Sequence, residues 1–282
     1  MNPEYHIHIS ADHSLLDLKF SEAYKYRGLI WLFAKKNFVK SYKQTVLGPL
    51  WLIISPLMTS LIHTLIFGTV AGIETDGVPK ILFYLLSNAI WNFMNSNLTG
   101  SSNTFISNSS IFGKVYFPRL IMPLSNMLIQ AIHFLIQFVI FIVCGIVFAL
   151  NGEFKFTIIG WIWIPVVLVW MGAMGIGLGL IASGLTKKYR DLRFVVNYGV
   201  SLWRYGSPVV YPLSKISGGL LRKVMLINPA SAPMDFFRAK LLGTEMTIPG
   251  WSIALSVVFS IVIFFVGVIV FNKAERNFLD TI

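Results

Sequence analysis

Apolar and polar positions fall into long blocks along the chain. Five stretches without Asp, Glu, Lys or Arg, at residues 50–71, 81–105, 120–150, 156–185 and 251–271, each reach the roughly 20 residues that a helix needs to cross a bilayer. A sixth, 194–212, is interrupted only by Arg204. The pattern predicts an all-α integral membrane protein with six transmembrane helices, which places both ends of the chain on one side.

Polar side chains recur inside these blocks at helical spacing. The second block carries Asn88, Asn92, Asn95, Thr99 and Ser102 on one face. Similar stripes run through Ser55, Thr59 and His63, through Asn126, Gln130, His133 and Gln137, and through Asn197, Ser201 and Arg204. A polar group in hydrocarbon is costly unless it meets a partner or water, so each stripe marks an inward face. Interhelical hydrogen bonding accounts for a single Asn or Gln; four stripes together with an arginine point to a polar conduit. By contrast, Gly172, Gly175, Gly179 and Ser183, and likewise Ser252, Ser256 and Ser260, are small residues near helical repeat and predict close helix contacts.

Composition sharpens this picture. Charged residues make up 12% of the 282, against roughly 25% in soluble domains, and 55% are hydrophobic, which excludes an ordinary water-soluble domain. The net charge of +11 has a location. Most cations, among them Lys25, Arg27, Lys35, Lys36, Lys40, Lys43, Lys114, Arg119, Lys187, Lys188, Arg190, Arg193, Lys273 and Arg276, flank the spans on one side. A smaller group, Lys80, Lys155, Lys215, Arg222, Lys223, Arg238 and Lys240, falls on the other. The bias predicts cytoplasmic termini. Because the basic residues flank apolar spans instead of clustering on one domain, nucleic acid is not an expected partner.

Residues 22–45 place Leu29, Leu32, Phe33, Phe38 and Val39 among lysines, which predicts an amphipathic helix in the cytoplasmic interface. Residues 1–21 are expected to form a flexible cytoplasmic tail without a cleaved signal, and its His6, His8 and His13 do not add up to a metal site. Cys144, the single cysteine, forms no intrachain disulfide. No acid, base or nucleophile constellation is evident: the spans carry no Asp or Glu, and His63 and His133 stand on separate helices. Gly113-Lys114 is followed by Val115 where a phosphate-binding loop needs Ser or Thr. The chain is therefore not expected to be an enzyme by itself.

Three blocks resemble one family, the transmembrane subunits of type-2 ABC exporters for O-antigen, capsule and teichoic-acid polymers. The first runs from Tyr26-Arg27-Gly28-Leu29 through Tyr42-Lys43-Gln44-Thr45-Val46-Leu47-Gly48-Pro49-Leu50-Trp51. The second comprises Ile90-Trp91-Asn92-Phe93, Ser107-Asn108-Ser109-Ser110 and Lys114-Val115-Tyr116-Phe117-Pro118-Arg119. The third comprises Lys188-Tyr189-Arg190-Asp191-Leu192-Arg193, Ser207-Pro208-Val209-Val210-Tyr211-Pro212 and Asn228-Pro229.

The resemblance implies a homodimeric channel of residues 46–282 in the bacterial cytoplasmic membrane, two separate nucleotide-binding subunits that hold ATP and Mg, and no cofactor on this chain. It further implies export of undecaprenyl-pyrophosphate-linked polysaccharide, O-antigen being favoured, and external re-entrant helices at about 213–250. A coupling helix at about 108–118 would dock the ATPase through Asn108, Ile111, Phe112, Lys114, Tyr116 and Phe117. On this reading Trp51, Tyr84, Asn88, Trp91, Asn92, Phe93, Asn95, Tyr198, Trp203, Arg204 and Tyr205 are candidates for a glycan route, since aromatic rings stack on sugar C–H faces and amides bond hydroxyls. Lys35, Lys36, Lys40 and Arg204 are candidates for the lipid pyrophosphate. A secondary transporter of a small polar solute is the alternative, although acidic coupling-ion sites and an inverted repeat are missing from the spans.

Overall fold

The computed structural model describes residues 24–279 except 44, 113, 115, 116, 190 and 217. Among these residues the regular structure is helical: α1 (Arg27–Tyr42), α2 (Trp51–His63), α3 (Lys80–Ser102), α4 (Thr104–Phe112), α5 (Ile121–Leu150), α6 (Ile164–Lys188), α7 (Leu192–Tyr205), α8 (Leu220–Ile227), α9 (Ser231–Leu242) and α10 (Gly250–Leu279). The tail expected at 1–21, with its three histidines, lies outside the described residues, as do Tyr116 and Arg190.

Local chemistry sets the helix ends. Gly48, at φ 52°, and Pro49 open a 3-10 turn that leads into α2, which continues past His63 as a π-helical segment, Thr64–Val70. Pro165 sits in the first turn of α6, where its missing N–H costs nothing. Gly243 closes α9 in the left-handed conformation.

Four helical stretches are long and apolar enough to cross a membrane: Gly48–Val70, Ile121–Leu150, Ile159–Thr186 and Gly250–Glu275. The other two expected spans differ for separate reasons. Helix α3 has 23 residues, ample length, but its asparagines lower its hydropathy, and most of its residues are enclosed by α2, α5, α6 and α7. The 194–212 segment is helical only to Tyr205, so α7 has 14 residues, about 21 Å at 1.5 Å per residue.

Helix α3 is the central pillar. Tyr84, Trp91, Phe93 and Met94 are buried in its largest apolar cluster together with Phe134, Phe141, Met174 and Phe237. The glycines of α6 work in two directions. A Cβ at Gly175 or Gly179 would stand 2.5 Å from the Met94 carbonyl oxygen or 2.4 Å from that of Leu98, both on α3. A Cβ at Gly177 would meet Ile263 of α10 at 2.7 Å. Gly179→Val is therefore expected to push α3 and α6 apart and destabilise the chain by about 1–3 kcal/mol, the usual cost of overpacking. Thermal unfolding of the detergent-solubilised protein measures this, and Gly28→Ala, where a Cβ meets nothing within 4 Å, serves as the neutral control.

The serine stripe of α10 acts differently from the small-residue packing expected of it. Ser252 and Ser256 donate hydrogen bonds to the carbonyls of Leu226 and Pro229, tying α10 to the junction of α8 and α9. Neither α8 nor α9 is long enough to cross a membrane.

Helix α1 lies along α5, with Phe38 5.7 Å from the His133 ring and Phe33 5.7 Å from Phe117. Its apolar residues do not share one face as expected. Leu29, Ile30 and Phe33 pack on the protein, whereas Trp31 and Leu32 are exposed beside Lys35 and Lys36, and only Ala34 is buried.

Candidate functional site

Two helices build the most polar surface of the bundle. The α5 stripe faces α3, where Asn126 donates to the Ser96 carbonyl at 3.3 Å and Asn92 donates to Gln137 at 3.3 Å. Along α5, Gln130 donates to the Asn126 side-chain oxygen at 3.3 Å and its own carbonyl oxygen lies 3.2 Å from His133 Nδ1. These bonds hold the amides in register while leaving hydrogen-bonding capacity directed outward.

A cleft of about 240 Å³ opens between α2, α3 and α5, lined by Trp51, Ser55, Pro56, Asn92, Phe93, Ser96, Gln130, His133 and Gln137, among others. Ser96 and Gln130 also line a larger groove of about 1060 Å³. Its walls carry Lys36, Lys40, Thr99, Asn103, Ser107, Asn108, Asn126, Arg193 and Asn197. The two together form one hydrophilic strip of amides, hydroxyls and cations, suited to a hydroxyl-rich or anionic ligand. Among the described residues no group of His, Cys, Asp and Glu could hold a metal ion.

The expected pathway residues separate on burial. Trp51 and Asn92 border the cleft, and Phe93, 2% exposed, contributes only an edge. Tyr84 and Trp91, at 0% and 1%, are core residues: Tyr84 donates to the Val210 carbonyl at 3.3 Å, and Trp91 meets Trp203 edge-on at 5.7 Å. Their assignment to a pathway surface is corrected on that ground. The Asn95 backbone carbonyl accepts from the Thr99 hydroxyl at 2.9 Å, and Asn95 lines neither cavity. Tyr198 and Tyr205 are exposed on α7 and line neither cavity. Ser96, Asn103, Ser107 and Arg193 were not expected as site residues; Ser96 and Asn103 continue the Asn92–Thr99 face at helical spacing and were readable there, whereas Ser107 and Arg193 stand beyond the ends of the apolar blocks.

Arg204 is also placed differently from the headgroup role expected of it. Its guanidinium donates to Asn88 at 2.8 Å, and Asn88, 1% exposed, donates to Ser60 at 3.0 Å, so the three cross-link α7, α3 and α2. His63 packs edge-on against Tyr84 beside this cluster. Among the described residues the most deeply buried cation is instead Arg238 in α9, 3% exposed. It donates to the Pro208 carbonyl at 2.6 Å and to Ser87 at 3.5 Å, lies 3.8 Å from Asp235, and covers the Phe83 ring at 4.6 Å. Asp235 in turn accepts from the Thr247 and Ile248 N–H groups at 2.9 and 3.2 Å.

Asn228 uses all of its side-chain capacity between α7 and α9. Its amide donates to the Gly206 carbonyl and Ser207 Oγ at 2.8 and 3.0 Å, and its oxygen accepts from Trp203 Nε1 and the Ala230 N–H, each at 3.0 Å. Asn228→Ala would strand the indole N–H and the peptide N–H, and a stability loss of about 2–6 kcal/mol is expected from two lost partners at about 1–3 kcal/mol each. Asn228→Asp keeps both acceptor bonds and is expected to lose less; equal melting of the two variants would overturn this assignment.

At one end of the bundle, Phe112 and Phe117 are buried with Phe105 and Phe271, so they brace the α4 turn and cannot themselves touch a partner. Arg119 is tied to Glu275 of α10 through its guanidinium at 3.8 Å. Asn108 and Ile111 border the groove, and Ser107, Ser109, Ser110 and Lys114 are exposed there. At the other end, Lys215 bonds Glu74 and Ser214 bonds Asp76, joining the α2–α3 loop to the 213–215 turn. The Lys215 ammonium holds the Glu74 carboxyl below its usual range.

Residues 28–242 match the family described as ABC-2 type transporter. An O-antigen export system permease protein, RfbA, from Klebsiella pneumoniae is 27% identical over 267 residues, 94% of this chain and 98% of that protein. A protein of the same name from Myxococcus xanthus is 24% identical over 93% of this chain and 98% of its own length.

Proposed function

The chain belongs to the ABC-2 type transporter family, and from that premise we propose that it is the channel-forming permease subunit of an ATP-driven exporter of lipid-linked polysaccharide, O-antigen first among the candidates. It works as a homodimer in the bacterial cytoplasmic membrane with a separate ATPase subunit and binds no cofactor itself. The observation that supports the reading is the hydrophilic strip along α3 and α5, set beside three strongly apolar stretches, Gly48–Val70, Ile159–Thr186 and Gly250–Glu275. Amides and hydroxyls spaced along a helix exchange hydrogen bonds with successive sugar hydroxyls, each weak enough to release, as stepwise conduction requires.

The reading extends to topology and to the ATPase contact. Helix α3, shielded by its neighbours, and α7 continued by 206–212 supply the two crossings beyond the four apolar ones, giving six with cytoplasmic termini. Helices α8 and α9 form the external re-entrant pair. Exposed Ser109, Ser110 and Lys114 contact the ATPase, while Phe112 and Phe117 stiffen the turn that presents them.

Deletion of the gene and complementation test the reading. Surface polysaccharide is expected to vanish in the deletion strain, with lipid-linked polymer retained on the cytoplasmic side, and to return with the wild-type chain. Unchanged surface polysaccharide after deletion would overturn it. Export of a small solute, with polymer unaffected, would favour the secondary-transporter alternative.

A further inference from the structure

The loop between α2 and α3, residues 71–79, holds a backbone conformation that its sequence does not favour. Asp76 has φ 54°, the only positive value at a non-glycine among the described residues, and Gly72 and Gly77 are also positive, at 66° and 77°. A left-handed aspartate is disfavoured by its Cβ, and such strain persists where surrounding contacts hold it. Two acids of the loop bond one other segment. The Ser214 hydroxyl donates to the Asp76 carboxylate, and Lys215 pairs with Glu74. Thr75, between the two acids, is 4% exposed and donates its hydroxyl to the Val78 carbonyl at 2.6 Å. The loop is thus a strap fastened at two points to the 213–215 turn.

Each side of the fastening leads to a helix end. Arg222 of α8 donates to the Ile216 carbonyl at 3.0 Å and to the Leu213 carbonyl at 3.4 Å, so the turn and α8 form one unit. The strap itself continues from the π-helical segment Thr64–Val70, where the Ala71 N–H bonds the Ile66 carbonyl, five residues back. Lys80, the first residue of α3, donates its ammonium to the Gly68 carbonyl and pins this wide turn from outside. Such turns are rare and cluster at functional positions. Rewinding to α-helical bonding shifts every following residue by one position, about 100° around the axis, which would swing Glu74 and Asp76 off their partners. A cavity of about 680 Å³ beside the strap, lined in part by Gly77, Val78 and Glu153, gives room for that movement.

The strength of the contacts decides their use. Glu74 and Lys215 are both exposed, so water and salt screen their attraction, and the pair is a weak fastening. Weak contacts that hold strained backbone on a rewindable helix end suit a catch that opens in operation. We propose that the 71–79 strap is a latch: it ties the end of α2 to the 213–215 turn and α8, and it lets go, with the π-helical segment rewinding, whenever the end of the bundle that carries α8 opens. The inference rests on the exporter reading, which puts that end outside and gives it a cargo to pass.

The first readout needs no cargo. In the full chain in nanodiscs, with Cys144→Ser to remove the native thiol, Thr75→Cys should react slowly with a membrane-impermeant maleimide. Glu74→Lys should speed that reaction by about threefold or more, since charge reversal turns a modest attraction into a repulsion. Glu74→Lys with Lys215→Glu should return it to the starting rate, a rescue that a merely destabilised loop would not show. Ser214→Ala and Lys80→Met, which free Asp76 and the Gly68 carbonyl, should speed it as well. Unaltered labelling in Glu74→Lys or in Lys80→Met, or a charge swap as fast as Glu74→Lys alone, overturns the latch.

The second readout asks whether the strap must open. Glu74→Cys with Lys215→Cys, in the same background, is joined within one chain by a bifunctional thiol reagent with a reducible spacer, and joining is scored by mass spectrometry. Surface polysaccharide export is expected to stop on joining and to resume on reduction. Continued export by fully joined chains overturns the latch, as does failure of the two thiols to join. Failure of the wild-type chain to restore export in the deletion strain sinks the exporter reading instead, and the labelling rates still decide whether the strap opens.

Discussion

Arg238→Ala is expected to lower the thermal stability of the solubilised chain by about 3–5 kcal/mol, more than any substitution that lines the groove, because it leaves a partner carboxylate buried without its counter-charge. Asp235, 5% exposed, would retain its bonds from the Thr247 and Ile248 N–H groups but lose the guanidinium at 3.8 Å. The Pro208 carbonyl would lose its 2.6 Å donor, and the Phe83 ring its cation. These contacts hold α9 against α3 and against the 206–212 turn, so the end of the bundle that carries α9 should loosen first. The double variant Asp235→Asn with Arg238→Met removes both charges while keeping an acceptor for the two N–H groups, and it is expected to recover much of the loss. Fluorescence-detected unfolding decides the matter: a single variant that melts with the wild type, or a double variant worse than either single, would remove the ion pair from the account of this fold.

Arg238 also shows where sequence periodicity stops being informative. Counting charges along the chain assigned it to the far side of the membrane, because it lies in the long segment between the fifth and sixth apolar blocks. Its burial depends on α9 folding back under Phe83 and Pro208, a contact between positions more than a hundred residues apart for the former. Arg204 drew attention for interrupting an otherwise uncharged span, yet its partner Asn88 lies in the very stripe that was assigned to the conduit. A stripe of asparagines on one helix cannot by itself distinguish residues that face a cavity from residues that face another helix. The two kinds differ by 100° of rotation, a single position in the sequence.

Where the signal was local, the sequence was a good guide. The apolar blocks located four crossings because length and composition alone decide them. The α5 stripe located the groove wall, since Asn126, Gln130, His133 and Gln137 all line one of its two cavities. The α6 glycines located close helix contacts, though not that they serve α3 and α10 on opposite faces. The aromatic residues were the least legible. Trp and Tyr suit a sugar route, a membrane interface and a protein core for the same reason, a large apolar body with one polar atom. Only packing separates exposed Trp51 from buried Trp91.

Ser96→Trp is the substitution expected to abolish export without abolishing the fold. Ser96 is half-buried and is shared, with Gln130, by the cleft and the groove, so an indole there takes up space where the two cavities meet. Its backbone carbonyl still accepts from Asn126, so the α3–α5 contact does not depend on the side chain that is replaced. Asn92→Ala, by comparison, removes one bond to Gln137 and leaves that space open; its effect should be partial. Ser201→Trp adds the same bulk at an exposed position on α7 outside both cavities and is the matched control. Surface polysaccharide should fall to the level of the deletion strain for Ser96→Trp and remain near wild type for Ser201→Trp, with membrane abundance and melting of both unchanged. Full export by a stably folded Ser96→Trp chain would show that the polymer travels elsewhere. The α3–α5 strip would then be a set of interhelical hydrogen bonds and nothing more, which is the one alternative that its polarity alone does not exclude.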